Sequence, residues 1–531
     1  MSDVVDHIVV GGGAAGCVLA GRLTEDAGRS VLLLEAGPRD RAREIRIPAA
    51  FPRLFGTRHD WDLRTEPQPA LDGRSLYWPR GRVLGGSSSI NAMMHVRGHP
   101  SDYDGWAAGG APGWAFEDLL PVFRRSEDSP RGGPPLRGRG GPLSVRELRD
   151  PNPATLAFLE AAARAGLPRT PDVNGERQEG VDLTQVNQRR GRRWSVADAY
   201  LRPALGRPGL TVRTGARVLR VLVEGGRATG VEVLSGGSRE TVRAGKGVIL
   251  AAGAVGSPHL LLLSGIGPAG ELREAGIEVR ADLSGVGRHL EDHLSTGLVV
   301  RAARPVSLVG AESVRGLLRY VVCRRGGLTS NVAEALAFVR SRAGLEAPDL
   351  ELLFAPAPFV DHGRGDPPGH GLTVGVILLQ PRSSGRIGLR SADPLEPPRI
   401  DPAYLSSPEA DEELAVLRAG LRLARRILST PPLAELTGEP IRPASWPDGD
   451  AGMDACIRDT AETLYHPVGT CRMGTDPEAV VDPALRVRGV EGLRVADASV
   501  MPRIPRGHTQ WPTVAIAERA SDLVRGEAPG A

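Results

Sequence analysis

A chain of 531 residues with 41% hydrophobic and 24% charged residues has the composition of a globular protein too long for one simple core, so two closely joined domains are expected. Its 66 basic residues are nearly matched by 63 acidic ones, and the arginines are scattered without a basic stripe interleaved with aromatics, which argues against nucleic-acid binding. No apolar run reaches the roughly 18 residues that cross a bilayer.

The elements begin at once: the chain passes from Asp6 into the apolar strand Ile8-Val9-Val10 with no leader segment before it. Gly11, Gly12, Gly13, Ala14, Ala15 and Gly16 follow, then a helix-compatible run from Cys17 to Leu23. Gly11, Gly13 and Gly16 have the spacing that lets a backbone turn tightly, approach a pyrophosphate and pack helix on strand. The helix N-terminus supplies free N–H groups and partial positive charge for phosphates. A second strand, Ser30 to Leu34, ends in Glu35, placed 19 residues after Gly16 to accept hydrogen bonds from ribose hydroxyls. Its charge would repel a 2′-phosphate, which disfavours NADP. FAD and NAD both satisfy this pattern.

Further along, Ala216 to Val223 alternates as a strand and includes Val218. Glu462 to Gly474 carries His466 ahead of Pro467, which disfavours helix at residue 466 and suits an imidazole held on a loop. A second histidine, His508, precedes a helix in whose first turn Pro512 is well placed. Two histidines without helical HExxH spacing or a nearby acidic third ligand point to no metal. Cys17, Cys323, Cys456 and Cys471 show neither paired nor metal-like spacing, and a reduced cytoplasmic protein is expected, with peripheral contact to the inner membrane left open.

Four segments, Gly81–Met94, Gly253–Gly267, Glu462–Gly474 and Leu493–His508, resemble in order the signatures of the glucose–methanol–choline (GMC) oxidoreductases, FAD enzymes acting on alcohols. Within that family Trp78–Gly81, Arg97–Tyr103, Gly326–Ser330 and Gly385–Arg390 are most similar to bacterial acceptor-dependent alcohol dehydrogenases and choline dehydrogenases. The resemblance implies a Rossmann-like α/β FAD domain (1–145, 200–300 and 455–531) and a discontinuous α+β substrate domain with an antiparallel sheet (146–199 and 301–454). The Gly-, Pro- and Arg-rich stretch 128–142 reads as a surface loop or boundary between them.

The resemblance also assigns roles. Gly11, Gly13, Ala14, Ala15, Gly16 and Glu35 take the adenosine diphosphate, while Val83, Gly86 and Ser87 press on the diphosphate and ribityl chain. Asn91, Ala92, Met93 and Met94 lie beside the flavin ring, and Thr509, Gln510 and Thr513 stand at its other edge under a helix dipole that favours reduced flavin. Val218 reads as an adenine contact or as sheet core; Asp497 and Ala498 as flavin contacts, with Asp497 alternatively a local cap. Some relatives tether FAD through a histidine just before the asparagine; here that residue is Ile90, so FAD is expected to be noncovalent. His95 either lines the site or is a structural replacement, and Trp61 either touches the cofactor or packs in the core.

The implied chemistry is oxidation of a primary alcohol to an aldehyde. His466 takes the hydroxyl proton as hydride passes to flavin N5, with a pKa near neutrality, and His508 hydrogen-bonds the same oxygen. Many near relatives carry asparagine at the second position; the histidine pair is similar to aryl-alcohol and glucose oxidases, so the acceptor is a quinone, another electron acceptor or O2. Leu464, Tyr465 and Trp511 are the expected substrate pocket, with core packing as the alternative for Tyr465 and Trp511. A fatty-acid photodecarboxylase is a remoter reading, opposed by the segment Asn331–Glu334, which lacks the cysteine that those relatives carry after Gly-Gly-Leu-Thr-Ser, and by the His466 motif.

Overall fold

The computed structural model describes residues 4–131, 133, 135–364 and 369–526. Two seven-stranded sheets organise it.

In the first sheet, strand Val5–Val10 pairs in parallel with Val31–Glu35 on one side and with Ser238–Leu250 on the other. Leu210–Thr214 and Leu493–Val495 extend the parallel portion at its two flanks. Ile8–Val10 and Val31–Leu34 are buried throughout, as continuous apolar runs must be in a parallel sheet covered on both faces. Helices Ala14–Leu23 and Gln510–Arg525 pack on each other against this sheet. Strand Ser238–Leu250 changes partners midway: its first half runs antiparallel to Arg227–Ser235, its second parallel to Val5–Val10. Ala216–Glu224 completes that antiparallel extension.

The second sheet runs Thr437–Arg442, Leu294–Ala302, Gly371–Leu378, Leu350–Ala355, Ala335–Val339, Gly180–Leu183, with Glu462–Thr463 also beside Leu294–Ala302. Every pairing in it is antiparallel. The pleat sorts its faces. Leu298, Val300, Val374 and Val376 meet Leu417, Leu421 and Ile427 of helix Ala410–Leu428, while Gly297, Val299, Thr373, Gly375 and Ile377 turn the other way onto a cavity.

Two short pieces fall across the expected division. Leu294–Ala302 begins within the segment assigned to the cofactor domain, and Glu462–Thr463 lies inside the C-terminal one, yet both hydrogen-bond into the second sheet. The stretch 128–142 is more than a surface loop: Arg137 is buried there, its Nε 3.0 Å from Glu127 Oε1. Residues 132 and 134 of that stretch lie outside the described residues.

Candidate active site

A cavity of about 680 Å³ is lined from both sheets and runs from Glu35 and Arg217 at one end to His466 and His508 at the other. At the first end two glycine loops lie backbone to backbone. Gly11 sits at φ +101°, and a Cβ there would come 2.5 Å from Ala251 O. Gly86, at φ +52°, would bring a Cβ 2.7 Å from the Cα of Gly13, and the N–H of Gly85 donates to Gly12 O at 2.7 Å. Both loops meet at the start of helix Ala14–Leu23, whose first-turn N–H groups have no intrahelical acceptor. Gly16 does not border the cavity; its missing side chain lets the helix sit on Gly11 O, 1.8 Å from where a Cβ would be.

The Glu35 carboxylate accepts from Gly12 N at 2.8 Å and Gly37 N at 2.7 Å, and burial pushes its pKa up to about 7. Each oxygen keeps acceptor capacity toward the cavity, which suits ribose hydroxyls and not a phosphate. The Trp61 ring borders the same end, between the guanidinium groups of Arg82 and Arg217 at 5.1 and 5.3 Å. Val218 borders it from its strand. A cradle of close-packed glycine backbone, a helix N-terminus and a buried ribose acceptor fits the diphosphate and adenosine of FAD.

In the middle stand Ala14, Ala15, Ser87, Asn91, Ala92, Met93, Met94, Ala498, Thr509, Gln510 and Thr513, all on the cavity. Asn91 Nδ2 donates to Gln510 Oε1 at 2.6 Å, and Asn91 Oδ1 accepts from buried Arg193 at 2.7 Å. The helix Gln510–Arg525 begins here, so its positive end faces the cavity, with Pro512 in the first turn. Asp497 borders the cavity too, but its carboxylate is engaged by Gly253 N, Ser257 Oγ, Ser499 N and Ser499 Oγ at 2.6–2.8 Å. It is a cap joining two helix starts. Val83 is buried in the wall behind, beside Phe55 and Ile90, and does not reach the cavity.

The far end is built on strained backbone. Tyr465 holds φ +69°, uncommon for a residue with a Cβ; its N–H donates to Thr463 Oγ1 at 2.7 Å, and Arg80 binds its carbonyl at 2.6 Å. The kink aims His466 inward, and its N–H donates to Asp292 Oδ1 at 2.7 Å. The Tyr465 hydroxyl meets His362 Nδ1 at 2.7 Å. Leu464 lines the cavity, with Phe51, Phe55, Val332 and Phe359 making this end largely apolar.

His466 is joined by a residue that sequence reasoning missed. His293 is fully buried, with Nδ1 3.0 Å from His466 Nδ1 and Nε2 3.2 Å from the carbonyl of Leu379. A carbonyl only accepts, so His293 carries its proton on Nε2. Its Nδ1 is then the acceptor, and His466 donates from Nδ1. The remaining nitrogen of His466, Nε2, is left with a free lone pair. Burial, reinforced by nearby positive charge, lowers the His293 pKa to about 3. Burial likewise pushes His466 well below the ordinary histidine range, helped by His508, His293 and Arg80, so the expected pKa near neutrality is corrected downward.

His508 has a different partner. Its Nε2 lies 3.0 Å from Oε1 of Glu351, a fully buried carboxylate whose second oxygen has no hydrogen-bond partner. The His466 and His508 rings meet edge to face at 4.9 Å. The run His289-Leu-Glu-Asp-His293, ionisable residues just ahead of an apolar strand, is the one sequence signal for His293 and Asp292; Glu351 has none.

Trp511 leaves the expected pocket. It is buried in the core, stacks on His95 at 3.9 Å, meets Phe123 at 5.1 Å and donates from Nε1 to Ser126 Oγ at 2.8 Å. Successive helical residues turn by about 100°, so Trp511 points away from the face that Gln510 and Thr513 present. His95 is likewise structural, its Nε2 3.3 Å from Glu127. Among the described residues no group of three or more His, Cys, Asp or Glu side chains could hold a metal ion.

Comparison with known proteins places this geometry. The chain is 43% identical over 528 residues to the alcohol dehydrogenase [acceptor] of Pseudomonas putida, covering 98% of this chain and 95% of that protein. Its fold matches pyridoxine 4-oxidase from Mesorbium loti with a TM-score of 0.90 at 36% identity, covering 98% and 99% of the two chains. It matches the Aspergillus oryzae formate oxidase, studied for FAD modification, with a TM-score of 0.91 at 29% identity over 99% and 98%. The N-terminal model of the GMC oxidoreductases matches residues 5–295 and the C-terminal model residues 381–517. The chain belongs to the GMC oxidoreductase family.

Proposed function

We propose that this oxidoreductase acting on CH–OH donors oxidises a primary alcohol to an aldehyde, with His466 Nε2 as the base. The observation that carries the reading is the His466–His293 contact at 3.0 Å, which leaves a neutral imidazole with its lone pair free. FAD, when bound, supplies the hydride acceptor. His466 receives the hydroxyl proton, an assistance typically worth roughly 10² to 10⁴ in rate. His508, oriented by Glu351, holds the same oxygen as negative charge develops on it. The apolar wall of Phe51, Phe55, Phe359 and Leu464 favours aliphatic or aryl alcohols.

Likeness to an acceptor-dependent alcohol dehydrogenase favours a quinone or other electron acceptor. Likeness to two oxidases supports the second reading, direct use of O2. Ile90 offers no nucleophile to the cavity it borders, so FAD is held noncovalently and acid precipitation releases it. Among the described residues no helix is long and apolar enough to cross a membrane. All four cysteines are free, which suits the reducing cytoplasm.

The test is anaerobic flavin bleaching across choline, aliphatic, aryl and sugar alcohols, with the parent and His466→Ala. The variant is expected to keep FAD and lose roughly 10²-fold or more in reduction rate. Near-parent rates would sink the assignment. Stoichiometric hydrogen peroxide in air marks the oxidase reading.

A further inference from the structure

Helix Val314–Cys323 turns its apolar side outward. Val314, Leu317, Leu318, Val321 and Val322 are between 43% and 84% exposed, and they recur at the i, i+3, i+4, i+7, i+8 spacing of one stripe. A helix laid on a core buries that stripe; here Tyr320 is its buried residue, anchored at its hydroxyl 3.3 Å from Arg46 O. The element is well terminated. Ser313 Oγ accepts from Gly316 N at 3.3 Å, and Arg324 closes it at φ 54°. Five of the nine large apolar side chains that stand exposed among the described residues are on this helix, so the patch is concentrated, not scattered.

The surroundings of the stripe are basic. Arg315 and Arg319 lie along the helix, and Arg324 and Arg325 follow its end. The hairpin that bears the exposed Arg189, Arg190 and Arg192 packs against that end: a Cβ on Gly191, at its turn, would meet Arg324 O at 2.7 Å. The nearby acids are already engaged, Glu312 by Arg53, and Asp150 by Arg319, Arg325 and Gly326 N. An apolar stripe rimmed by arginines matches an anionic bilayer surface, acyl chains below and phosphates at the edge. Two copies pressed together here would confront one arginine rim with another, a like-charge contact.

We propose that helix Val314–Cys323 lies in the interface of an anionic phospholipid membrane and docks the protein there peripherally. The turn Pro48–Leu54 links this surface to the cavity, giving Phe51 to its wall and Arg53 to Glu312 at the helix start.

The test is flotation of the FAD-loaded protein with vesicles of phosphatidylglycerol and phosphatidylcholine in equal parts, against vesicles of phosphatidylcholine alone. Cys323, the exposed one of the four cysteines, takes an environment-sensitive fluorophore that reports insertion. Binding is expected on the anionic vesicles, with a blue shift at Cys323, and weaker at high salt. Leu318→Glu with Val321→Glu should lower the partition roughly tenfold or more. Arg315→Gln and Arg324→Gln should each cost about fivefold at low salt. Flavin content and turnover with a soluble acceptor should stay at parent values in all variants, showing that they fold. The proposal is overturned if the parent does not float with anionic vesicles, or if the double glutamate variant floats equally well. It is also overturned if that variant instead turns an oligomer into a monomer without any vesicle binding, which would assign the face to a second copy.

Discussion

Replacing His293 tests the proton arrangement without touching the base itself. His293 is buried, held neutral by its low pKa of about 3, and offers His466 a single acceptor at 3.0 Å while donating to Leu379 O. His293→Leu removes that acceptor, so the Nδ1–H tautomer of His466 loses a buried hydrogen bond, about 1–3 kcal/mol of bias. That bias corresponds to about 5- to 150-fold in the population whose Nε2 is free to accept a proton. The expected outcome is a fall of that order in the anaerobic flavin-reduction rate at saturating alcohol, with little change in KM and full flavin content. His293→Gln should recover much of the rate, because its carbonyl can accept from His466 and its amide can donate to Leu379. The acid limb of the parent's rate profile should lie below the ordinary histidine pKa of about 6.5, since burial disfavours the charged ring. Parent-like reduction by the leucine variant would refute the tautomer argument, as would a glutamine variant no better than leucine.

Glu351→Gln removes the carboxylate that orients His508 while keeping the size of the side chain. Losing one charge-assisted hydrogen bond, about 1.5–3 kcal/mol, should lower kcat tenfold or more at unchanged flavin content, and an unaltered kcat counts against a catalytic His508. Gly86→Ala places a Cβ 2.7 Å from the Cα of Gly13 at φ +52°. The strain, of order 1–3 kcal/mol, should lower the flavin-to-protein ratio and the thermal midpoint; full occupancy at an unchanged midpoint would show that the two loops can part freely. His7 is buried, and desolvation, with Arg29 next, lowers its pKa to about 4. The unfolded chain, with a pKa of about 6.5, therefore binds a proton that the folded one refuses, so stability is full above that pH and is lost as pH falls toward 4. Near pH 5 the loss is about 2 kcal/mol, and His7→Asn should flatten the fall in midpoint between about pH 7.5 and 5; an equal slope in both proteins would exclude His7 as a contributor.

What could be read from the sequence is what local geometry fixes. Gly11, Gly13, Gly16 and Glu35 belong to one strand–helix–strand unit, in which spacing along the chain is spacing in space. His466 before Pro467 is legible for the same reason, as is the start of helix Gln510–Arg525. The misplacements are also local. Trp511 and Val83 sit in the right segments, but a turn of helix and a loop wall point them away from the cavity. Neither could be told from the segment alone.

His293 and Glu351 were out of reach because they arrive from distant strands. The His293–His466 contact spans 173 residues and depends on Leu294–Ala302 pairing with Glu462–Thr463, while the His508–Glu351 contact spans 157 and depends on the second sheet meeting the start of helix Gln510–Arg525. This is where the proposed division of labour between the two site histidines has its basis. On the sequence His466 and His508 are the same residue type in similar turns. In the fold one is backed by a neutral imidazole that fixes where its proton sits, and the other by a buried carboxylate that accepts from its Nε2 and holds the ring in place. A base needs the first setting and an oxyanion partner the second. The proposal of His466 as base thus rests on its neighbour on the paired strand, a feature no motif around His466 contains.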